Sequence, residues 1–558
     1  MNPCELVSSC RFGRRQFMQM CAGSLALAGA GCRSNDRFEA NHSTITVFLW
    51  GDERELSPGQ NPAQFLVFLP LVTHDSQGEL VGRLAESWEH SPDYRSWTIH
   101  LRKGLRWHDG VPVTAHDVKF TLDLLSHPKV LMVPPGSFTV TVLDDHAYTI
   151  SYHTQAIGSP GDDYWTVYYP KHLLEKLDPN QFASWEFWTH PVGNGPYRYS
   201  RRVPKTMIEF EANPDYYRGK PKIERVVLKF GETTGSAALT ELLSGNVDAI
   251  PCCYLNAIDL LKLKDDARFH PYYYIQPEKL NAIAWNHRHL FFRDRTVRRA
   301  LTLAINRREL HQVLNLPDNL PILDAFVPER QFLRGEIPRA VPYNPEEAKR
   351  LLDEAGWRDA GTNGAREKDG KAFRFTALVS RLQEEDKAAV YVQAQLRGVG
   401  VQMDISTLEG EAQAQRIKAG EFEASFNVAY LTWPWGGRLF FGEGSLIGYN
   451  NPKVVALQKV AQSSMNPEEI EGIYRELVPI FQADLPVTFL YPAVWPTVAD
   501  RRVRGLSSPV RADPIWYMED LWLEDDSKIA AQAGEERRRQ TEPRAPRGVQ
   551  LVGSVPLL

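Results

Sequence analysis

The chain has 558 residues and a formal charge of −5, from 64 Lys and Arg against 69 Asp and Glu. With 43% hydrophobic and 24% charged residues, its composition is that of an ordinary globular protein. This excludes whole-chain disorder and a polytopic membrane protein, and the mild acidity argues against nucleic acid as the main partner. Aromatic residues make up 11% of the chain. Composition alone does not separate core aromatics from aromatics of a binding site.

The first 31 residues have the features of an export signal. Arg14 and Arg15 stand next to each other, and Phe17 completes an RRxF element. A weakly apolar Ala/Gly/Leu stretch follows, which is too short for a membrane-spanning helix of about 20 residues. A basic start, a short apolar stretch and small residues before a cleavage point are typical of a signal peptide. Residues 1–31 are therefore predicted to be removed, and the RRxF element resembles a twin-arginine export signal.

The cysteines add to this interpretation. Cys32 follows the small residues 29–31 in a sequence that resembles a lipoprotein cleavage box, so we expect a lipid on Cys32. Residues 28–30 leave an ordinary A-x-A cleavage site as the alternative. Only Cys252 and Cys253 then remain in the folded body, so the protein does not depend on a disulfide framework. Two reduced thiols are expected for this pair, with a strained disulfide or a soft metal site as alternatives.

Strand and helix patterns alternate along the body of the chain. Alternating, β-rich runs predict strands at residues 45–50, 97–101, 205–211, 223–230 and 247–250. A helix is predicted after Thr114, with Thr114 as its N-cap and Asp117 three residues on. Helical periodicity predicts further helices at residues 236–244, 295–305, 345–355, 387–398, 411–419, 452–463 and 467–483. This alternation predicts an α/β or α+β fold, and the charged, aromatic-free stretch 524–558 predicts a disordered tail.

Several motifs occur together along the chain. They are LAESWEHSPDYRSWTIHLRKGLRWHDG, PVGNGPYRYSRRVP, ELLSGNVDAI, FFRDRTVRRALTLAINRREL and NPEEAKRLLDEAGW. Their combination and order resemble the family 5 extracellular solute-binding proteins, which are the dipeptide-, oligopeptide- and nickel-binding receptors of ABC importers. The resemblance runs from about Ile45 to Leu523, nearly the whole mature chain. The motifs indicate a fold, and the binding site has to be argued separately.

The resemblance implies an α/β fold in the form of a two-lobed, periplasmic-binding-protein-like clamshell with an extra inserted domain. The implied boundaries are 45–56, 181–278 and 495–523 for a discontinuous lobe I, 57–180 for the inserted domain II and 279–494 for lobe II. Two strands near 280–285 and 487–491 are expected to cross between the lobes and to form the hinge. A ligand that touches both lobes then selects the closed form.

The resemblance also indicates where a ligand lies, which is between the lobes. It carries ligand contacts onto Trp50, Gly51, Asn281, Tyr430, Trp433, Trp435 and Tyr491. Peptide-binding members commonly have an aromatic residue followed by Ala-Asp in a loop of the second lobe, and that Asp pairs with the α-amino group of the peptide. Tyr430 takes the aromatic place here, but Thr432 and Trp433 stand where Ala-Asp is expected. The acidic anchor is therefore absent, unless Glu443 supplies it from further along the chain.

This departure bears on the kind of ligand. A buried ammonium needs a paired carboxylate, so we expect free peptide N-termini to bind poorly. The side chains of Trp50, Tyr430, Trp433 and Trp435 instead offer flat π surface. Such surface suits a sugar ring, an aromatic group, an apolar side chain or a cation. The alternative is that Trp433 and Trp435 pack in the core of the second lobe.

Other polar residues have a simpler structural interpretation. His287 and His289 do not complete a metal site and are expected to be exposed. The basic stretch 293–299 is expected to form a solvated helix face. Asp294 and Arg298 are expected to make structural pairs rather than ligand contacts.

The predicted function is that of a substrate receptor of an ABC importer, which captures a peptide or another small organic molecule and delivers it to a permease and ATPase complex. We expect a monomer in the periplasm or another extracytoplasmic compartment, anchored to the membrane by its lipid. No cofactor, metal site or nucleic-acid partner is expected. The sequence lacks GxSxG, HExxH, GxxxxGK[ST] and GxGxxG motifs, so an enzyme is not expected. A receptor that feeds a sensor, a peptide chaperone and a secreted hydrolase are the alternatives.

Overall fold

A computed structural model gives the fold of most of the body of the chain. The described residues are 43–50, 62–75, 79–130, 132–153, 166–231, 235–251, 255, 257–263, 266–317, 320–325, 327, 337–359, 364–380, 385–430, 441–506 and 517–525. All of them from Thr44 onward belong to one unit of the chain. The residues outside these ranges include Arg14, Arg15, Phe17, Cys32, Gly51, Cys252, Cys253, Trp433 and Trp435, and the predicted tail from residue 526 onward.

The strands are mostly short, and two are long. They are β1 (Thr44–Trp50), β2 (Val72–His74), β3 (Leu80–Gly82), β4 (Ala85–His90), β5 (Ser96–Leu101), β6 (Phe138–Asp144), β7 (Ala147–Tyr152), β8 (Tyr197–Val203), β9 (Met207–Ala212), β10 (Arg225–Gly231), β11 (Ala249–Ile250), β12 (Phe269–Trp285), β13 (Arg358–Asp359), β14 (Arg366–Lys368), β15 (Lys371–Ala372), β16 (Arg374–Ser380), β17 (Gln402–Leu408), β18 (Ala424–Tyr430), β19 (Val487–Asp500), β20 (Val503–Arg504) and β21 (Trp522–Leu523).

The helices lie between these strands, mainly in the second half of the chain. They are α1 (Ala115–Leu125), α2 (Lys171–Leu174), α3 (Gly235–Leu243), α4 (Ala257–Leu263), α5 (Arg295–Leu303), α6 (Arg307–Val313), α7 (Pro345–Glu354), α8 (Glu385–Arg397), α9 (Gly410–Ala419), α10 (Pro452–Ser463) and α11 (Pro467–Asp484). Short 3₁₀ helices span Pro62–Leu66, Pro179–Ser184, Glu186–Thr189 and Met518–Asp520. None of the helices in the described ranges is both long and apolar enough to cross a bilayer.

Local capping explains why the predicted helices begin where they do. In α7, α10 and α11 an Asn precedes a Pro, and the Asn side chain accepts a hydrogen bond from a main-chain N–H of the first turn. The Asn466 side chain, for example, accepts from Glu468 N at 2.9 Å. Pro at the first helical position costs no hydrogen bond there, because that N–H has no partner within the helix. The predicted starts of these helices are confirmed.

The start of α1 follows the predicted capping pattern. The Asp117 carboxylate accepts the main-chain N–H of Thr114 at 2.8 Å. It also accepts the Thr114 hydroxyl at 3.1 Å. The carboxylate thus closes the first turn of the helix and satisfies a donor that the helix leaves unpaired.

The main sheet joins both halves of the chain. Its strand order is β17-β16-β18-β12-β19-β11-β1-β10-β9-β8. The two long strands β12 and β19 are antiparallel neighbours at its centre. The C-terminal half of β12 pairs with β18, and the C-terminal end of β19 pairs with β11. Each long strand therefore belongs to both parts of the sheet, as expected for strands that cross between two lobes.

Strands occupy both positions near which the crossing strands were predicted, and both extend well beyond them. Their role as the hinge between the lobes stays a prediction. β12 begins eleven residues before the predicted 280, at Phe269, and β19 continues to Asp500. Both strands contain prolines, which cannot donate a hydrogen bond to a sheet. Pro277 and Pro492 lie where the pairing shifts register, between Gln276 and Leu280 of β12. The predicted lobe boundaries at 278/279 and 494/495 fall inside these strands and stay a prediction.

A separate sheet lies in the segment predicted as the inserted domain. Its strand order is β4-β5-β7-β6, all antiparallel. Its buried side chains join those of β1, β8, β9 and β10 in one apolar cluster. Two further clusters are built from residues after β12 begins. The composition of these clusters does not test the predicted boundaries of the inserted domain and the lobes, which stay a prediction.

The prediction that His287 is exposed is wrong. Its Nε2 lies 2.9 Å from the Pro486 carbonyl, and burial lowers the pKa of the imidazole to about 4. His289 is only partly exposed, and its Nε2 lies 3.2 Å from Glu423. Both rings sit beside the start of β19 or the end of β12, where tertiary packing covers a segment that looks like a loop in the sequence.

The basic stretch 293–299 is a solvated face only in part. Arg295 and Arg299 are exposed, but Arg298 is 4% exposed. Its guanidinium donates to main-chain carbonyls, because α5 packs this side chain against the start of β19. The Asp294 carboxylate accepts Thr296 N at 2.8 Å and caps α5. Asp294 and Arg298 therefore have the structural roles that were predicted, though not as a pair.

Candidate functional site

The first strand ends at the middle of the sheet. Trp50 is the last residue of β1 and pairs with Gly231 of β10. Val47, three residues before Trp50, pairs with Ala249 of β11, and Ala249 pairs with Ala499 of β19. Because β19 runs antiparallel to β1 and β11, three residues forward along β1 correspond to three residues back along β19, which places Trp50 level with Pro496.

A second strand end approaches the same stretch from the other part of the sheet. Tyr430 is the last residue of β18 and lies opposite Lys279 of β12. The segment after it holds the predicted contacts Trp433 and Trp435, which lie outside the described residues. The strand ends at Trp50 and Tyr430 therefore flank one stretch of β12 and β19, as a site between two lobes requires.

Two predicted contact residues face each other on the crossing strands. Asn281 of β12 lies directly opposite Tyr491 of β19 and, on its other side, opposite Val428 of β18. Both side chains are buried, each with 8% of its surface exposed. The Tyr491 ring packs edge-on to His311 of α6, with centroids 6.3 Å apart. The structure brings Asn281 and Tyr491 together at the point where the strands cross.

An aromatic residue that sequence reasoning missed lies beside them. The Lys279 ammonium sits 4.9 Å from the centroid of the Trp495 ring. This is a cation–π distance, and the pair combines a flat apolar face with a positive charge. Along the same two strands, the residues Tyr272, Tyr273, Ile275 and Val494 are also partly exposed. The run of aromatic and β-branched residues before Pro277 was the signal in the sequence that could have indicated this surface.

Glu443, which was considered as a substitute for the missing acidic anchor, already pairs with another side chain. Glu443 is exposed, and its carboxylate lies 2.9 Å from the Lys459 ammonium. A buried carboxyl does occur at the carboxyl end of β16, which runs parallel to β18. Glu385, the first residue of α8, is 6% exposed and accepts Ser380 N at 3.1 Å. Burial raises the pKa of Glu385 to about 7, and nothing in the sequence marks this ordinary helix-start glutamate.

Metal ligation has no support in the described ranges. They contain no group of three or more His, Cys, Asp or Glu side chains placed to hold a metal ion. His287 and His311, two of the described histidines near the crossing strands, bond main-chain carbonyls. The chemistry available at the crossing is therefore stacking, apolar contact and charge, which serves binding.

Comparison with known proteins shows the family to which the chain belongs. Residues 79–442 match the bacterial extracellular solute-binding proteins, family 5 Middle. The chain is 27% identical over 476 residues to the oligopeptide-binding protein AppA of Bacillus subtilis, covering 79% of this chain and 83% of that protein. It is 26% identical over 472 residues to heme-binding protein A of Haemophilus influenzae, covering 78% and 83%. The structure of NikZ from Campylobacter jejuni in complex with Ni(L-His) matches with a TM-score of 0.63 at 22% identity, covering 86% of this chain and 99% of that one.

These matches show both the fold and the general role. The chain has a two-lobed clamshell fold, and it is a substrate receptor of an ABC importer that holds its solute between the lobes. The family match extends over more than half of the chain, from just before β3 to beyond the end of β18. The protein belongs to the bacterial extracellular solute-binding proteins of family 5.

Proposed function

We propose that this receptor takes a small organic solute, a peptide or another molecule with a flat apolar part, and holds it against the aromatic stretch where β12 and β19 cross. The observation that carries the proposal is the position of Trp495. It lies on the stretch that the ends of β1 and β18 flank, with the Lys279 ammonium over its ring. Trp50, Tyr430, Trp433, Trp435 and Gly51 would complete the surface from the two lobes.

The solute is not held by a free α-amino group. The segment after Tyr430 has Thr432 and Trp433 in place of the expected Ala-Asp. Glu443 is engaged by Lys459 on the surface. An ammonium buried without a carboxylate is costly, so the affinity for a peptide would come from its apolar side chains and backbone.

Matched peptide pairs test this. We expect tri- to pentapeptides rich in Trp, Phe and Leu to bind the mature protein with similar Kd whether the N-terminus is free or acetylated, within about threefold. Loss of a buried ion-pair partner would instead cost about 3–5 kcal/mol, more than a hundredfold in Kd. A thermal-shift screen that includes sugars and aromatic acids comes first. Isothermal titration calorimetry then measures the Kd of the free and the acetylated peptide of each pair. A ligand at 100 times its Kd adds about 2.7 kcal/mol of stability. Acetylation that abolishes binding contradicts the proposal.

Tryptophan variants separate a binding role from a core role. Trp433→Ala and Trp435→Ala are expected to weaken binding at least tenfold and to leave the melting of the unliganded protein nearly unchanged. Trp522→Ala is the matched control, because Trp522 is partly exposed on β21 and stacks under Lys222 at 4.5 Å. Loss of folding in both loop variants would show that these rings belong to the core.

We also propose that the receptor is exported by the twin-arginine route and anchored as a monomeric lipoprotein at the outer face of the membrane, without catalytic activity. The RRxF element and the small residues before Cys32 support this. Replacing both arginines, Arg14→Lys with Arg15→Lys, is expected to block export. Cys32→Ser is expected to release the protein from the membrane fraction, with Cys252→Ser as the control. An unchanged membrane fraction for Cys32→Ser would contradict lipidation.

A further inference from the structure

The first half of β19 is held by side chains of α5 and α6. At the start of the strand, the Arg298 guanidinium donates to the carbonyls of Asp484, at 2.7 Å, and Leu485, at 3.0 Å. The Thr302 and Thr488 hydroxyls share a hydrogen bond of 2.7 Å. The approach to β19 and its first residues are therefore fixed to the helix pair, in addition to their pairing with β12.

The same attachment continues to the crossing point. Arg307, the first residue of α6, donates to the Phe489 carbonyl at 3.1 Å. One helical turn later, Nε2 of His311 lies 3.0 Å from the Leu490 carbonyl. Residues four apart lie on one face of a helix, so one face of α6 makes hydrogen bonds to two consecutive carbonyls of β19.

Leu490 is the residue that the sheet leaves without a partner in β12. Asn281 pairs with Tyr491 and Ala282 with Phe489, so the register skips Leu490. A bulge of this kind leaves the extra residue outside the ladder and lets the strand bend. The side chain of His311 therefore bonds the carbonyl of a bulged residue and fixes a bend in the strand.

Beyond this point the pairing of the two strands breaks again. Ala493 pairs with Gln276, whereas Pro492 pairs with Leu280, so the register between the two strands skips three residues of β12. Pro277 and Pro492 have no N–H to donate. The register of β12 and β19 is therefore most irregular just after Leu490, in the stretch that adjoins the Lys279 and Trp495 pair.

We propose that His311, supported by Arg307, is a positioning residue that fixes β19 up to Leu490 and so confines lobe movement to the bulged stretch at residues 491–493 and 276–280. The hinge then bends directly beside Asn281 and Tyr491. Closure on a solute reorients the aromatic stretch without disturbing the core of the second lobe.

The state of the imidazole fits this role. His311 is 1% exposed, and burial lowers its pKa to about 4, so the ring is neutral at ordinary pH. With Nε2 donating to Leu490, Nδ1 carries no proton, and no hydrogen-bond partner for it exists in the described ranges. The one bond that the ring makes there is thus the bond to the strand.

Hydrogen exchange of the unliganded full-length mature protein tests the proposal. His311→Phe keeps an aromatic ring and removes the donor, so exchange of the amides at 489–491, in and next to the peptide unit that His311 holds, is expected to rise about tenfold. His311→Gln keeps a donor of similar reach and is expected to restore the slow exchange. His287→Phe is the matched control, since it removes the equivalent bond to Pro486 before the strand begins. It is expected to leave the exchange at 489–491 unchanged.

These variants can be told apart because hydrogen exchange is measured separately for successive residues of β19. A rise at 489–491 that His287→Phe reproduces, or that His311→Gln does not reverse, would mean general loosening and overturn the proposal. Unchanged exchange at these residues in His311→Phe would also overturn the proposal. Should that variant not fold, His311→Asn, whose amide is too short to reach Leu490, takes its place. No solute is needed, so failure here leaves the proposed solute class untouched.

Discussion

Glu385 has a carboxyl group that burial makes hard to ionise. Its pKa is raised from 4.5 to about 7, with burial as the main cause and the hydrogen bond from Ser380 N as a partial offset. Between these two pH values the native state keeps a proton that the unfolded chain has lost. The free energy of unfolding therefore falls as pH rises through this window, by about 1.4 kcal/mol per pH unit from this group.

Replacing the carboxyl removes this contribution. Glu385→Gln is neutral at every pH, and its amide oxygen still accepts the N–H of Ser380. We expect the variant to be more stable than the parent at pH 7.5 by about 1–3 kcal/mol, with the difference vanishing below pH 4.5. Urea denaturation at a series of pH values measures this. Glu443→Gln, at an exposed ion pair, is the control, and identical pH profiles for Glu385→Gln and the parent would refute the assignment.

The binding surface shows what residue-level reasoning from sequence missed. Asn281 and Tyr491 were predicted because they lie on the two strands that the resemblance places between the lobes, and the structure sets them face to face; their contact with a solute stays a prediction. Trp495 and Lys279 lie on different strands, and their contact depends on the register between β12 and β19. A bulge shifts that register by several residues, and no local pattern encodes the size of the shift.

At the scale of elements, a buried ion pair joins the start of α6 to Asp324. The side chains of Arg307 and Asp324 are 2% and 0% exposed, and Asp324 also accepts the main-chain N–H of Val341. Asp324→Asn leaves the guanidinium buried without a counter-charge. We expect a loss of about 3–5 kcal/mol in the free energy of unfolding, measured by urea denaturation at pH 7.

A surface pair of similar geometry is the control for that change. Arg374 and Asp404 are 2.7 Å apart and both are largely exposed. Asp404→Asn is expected to cause no resolvable change, because solvent screens such pairs. If Asp324→Asn were as mild as Asp404→Asn, Arg307 would not be the anchor of α6.

Helices were predicted better than strands for a physical reason. The Asn-Pro pairs that begin α7, α10 and α11 are local signals, and the structure starts each helix at the predicted residue. β12 was predicted from 280, and the structure begins it at Phe269, because pairing with β19 holds its prolines in an extended chain. Strand extent is decided by partners distant in sequence, which one sequence does not display.

At the scale of the whole molecule, buried histidines make the fold sensitive to acid. His108, His287 and His311 lie in different parts of the chain, and burial lowers the pKa of each from 6.5 to about 4. All three bond main-chain carbonyls, so their neutral form is built into the packing. Between pH 4 and 6.5 the unfolded chain binds protons at these rings that the native state does not.

Stability is therefore expected to fall as pH drops from 6.5 toward 4, since the unfolded state binds more protons in that window. Each histidine contributes a slope of about 1.4 kcal/mol per pH unit to the free energy of unfolding. Glu385, whose pKa is raised instead of lowered, contributes a slope of opposite sign. Denaturation of His108→Gln across this range should show a slope shallower by that amount, because glutamine does not titrate. His116→Gln, at an exposed ring beside Asp145, is the control. If both variants kept the parent slope, the acid sensitivity would come from groups other than the buried imidazoles.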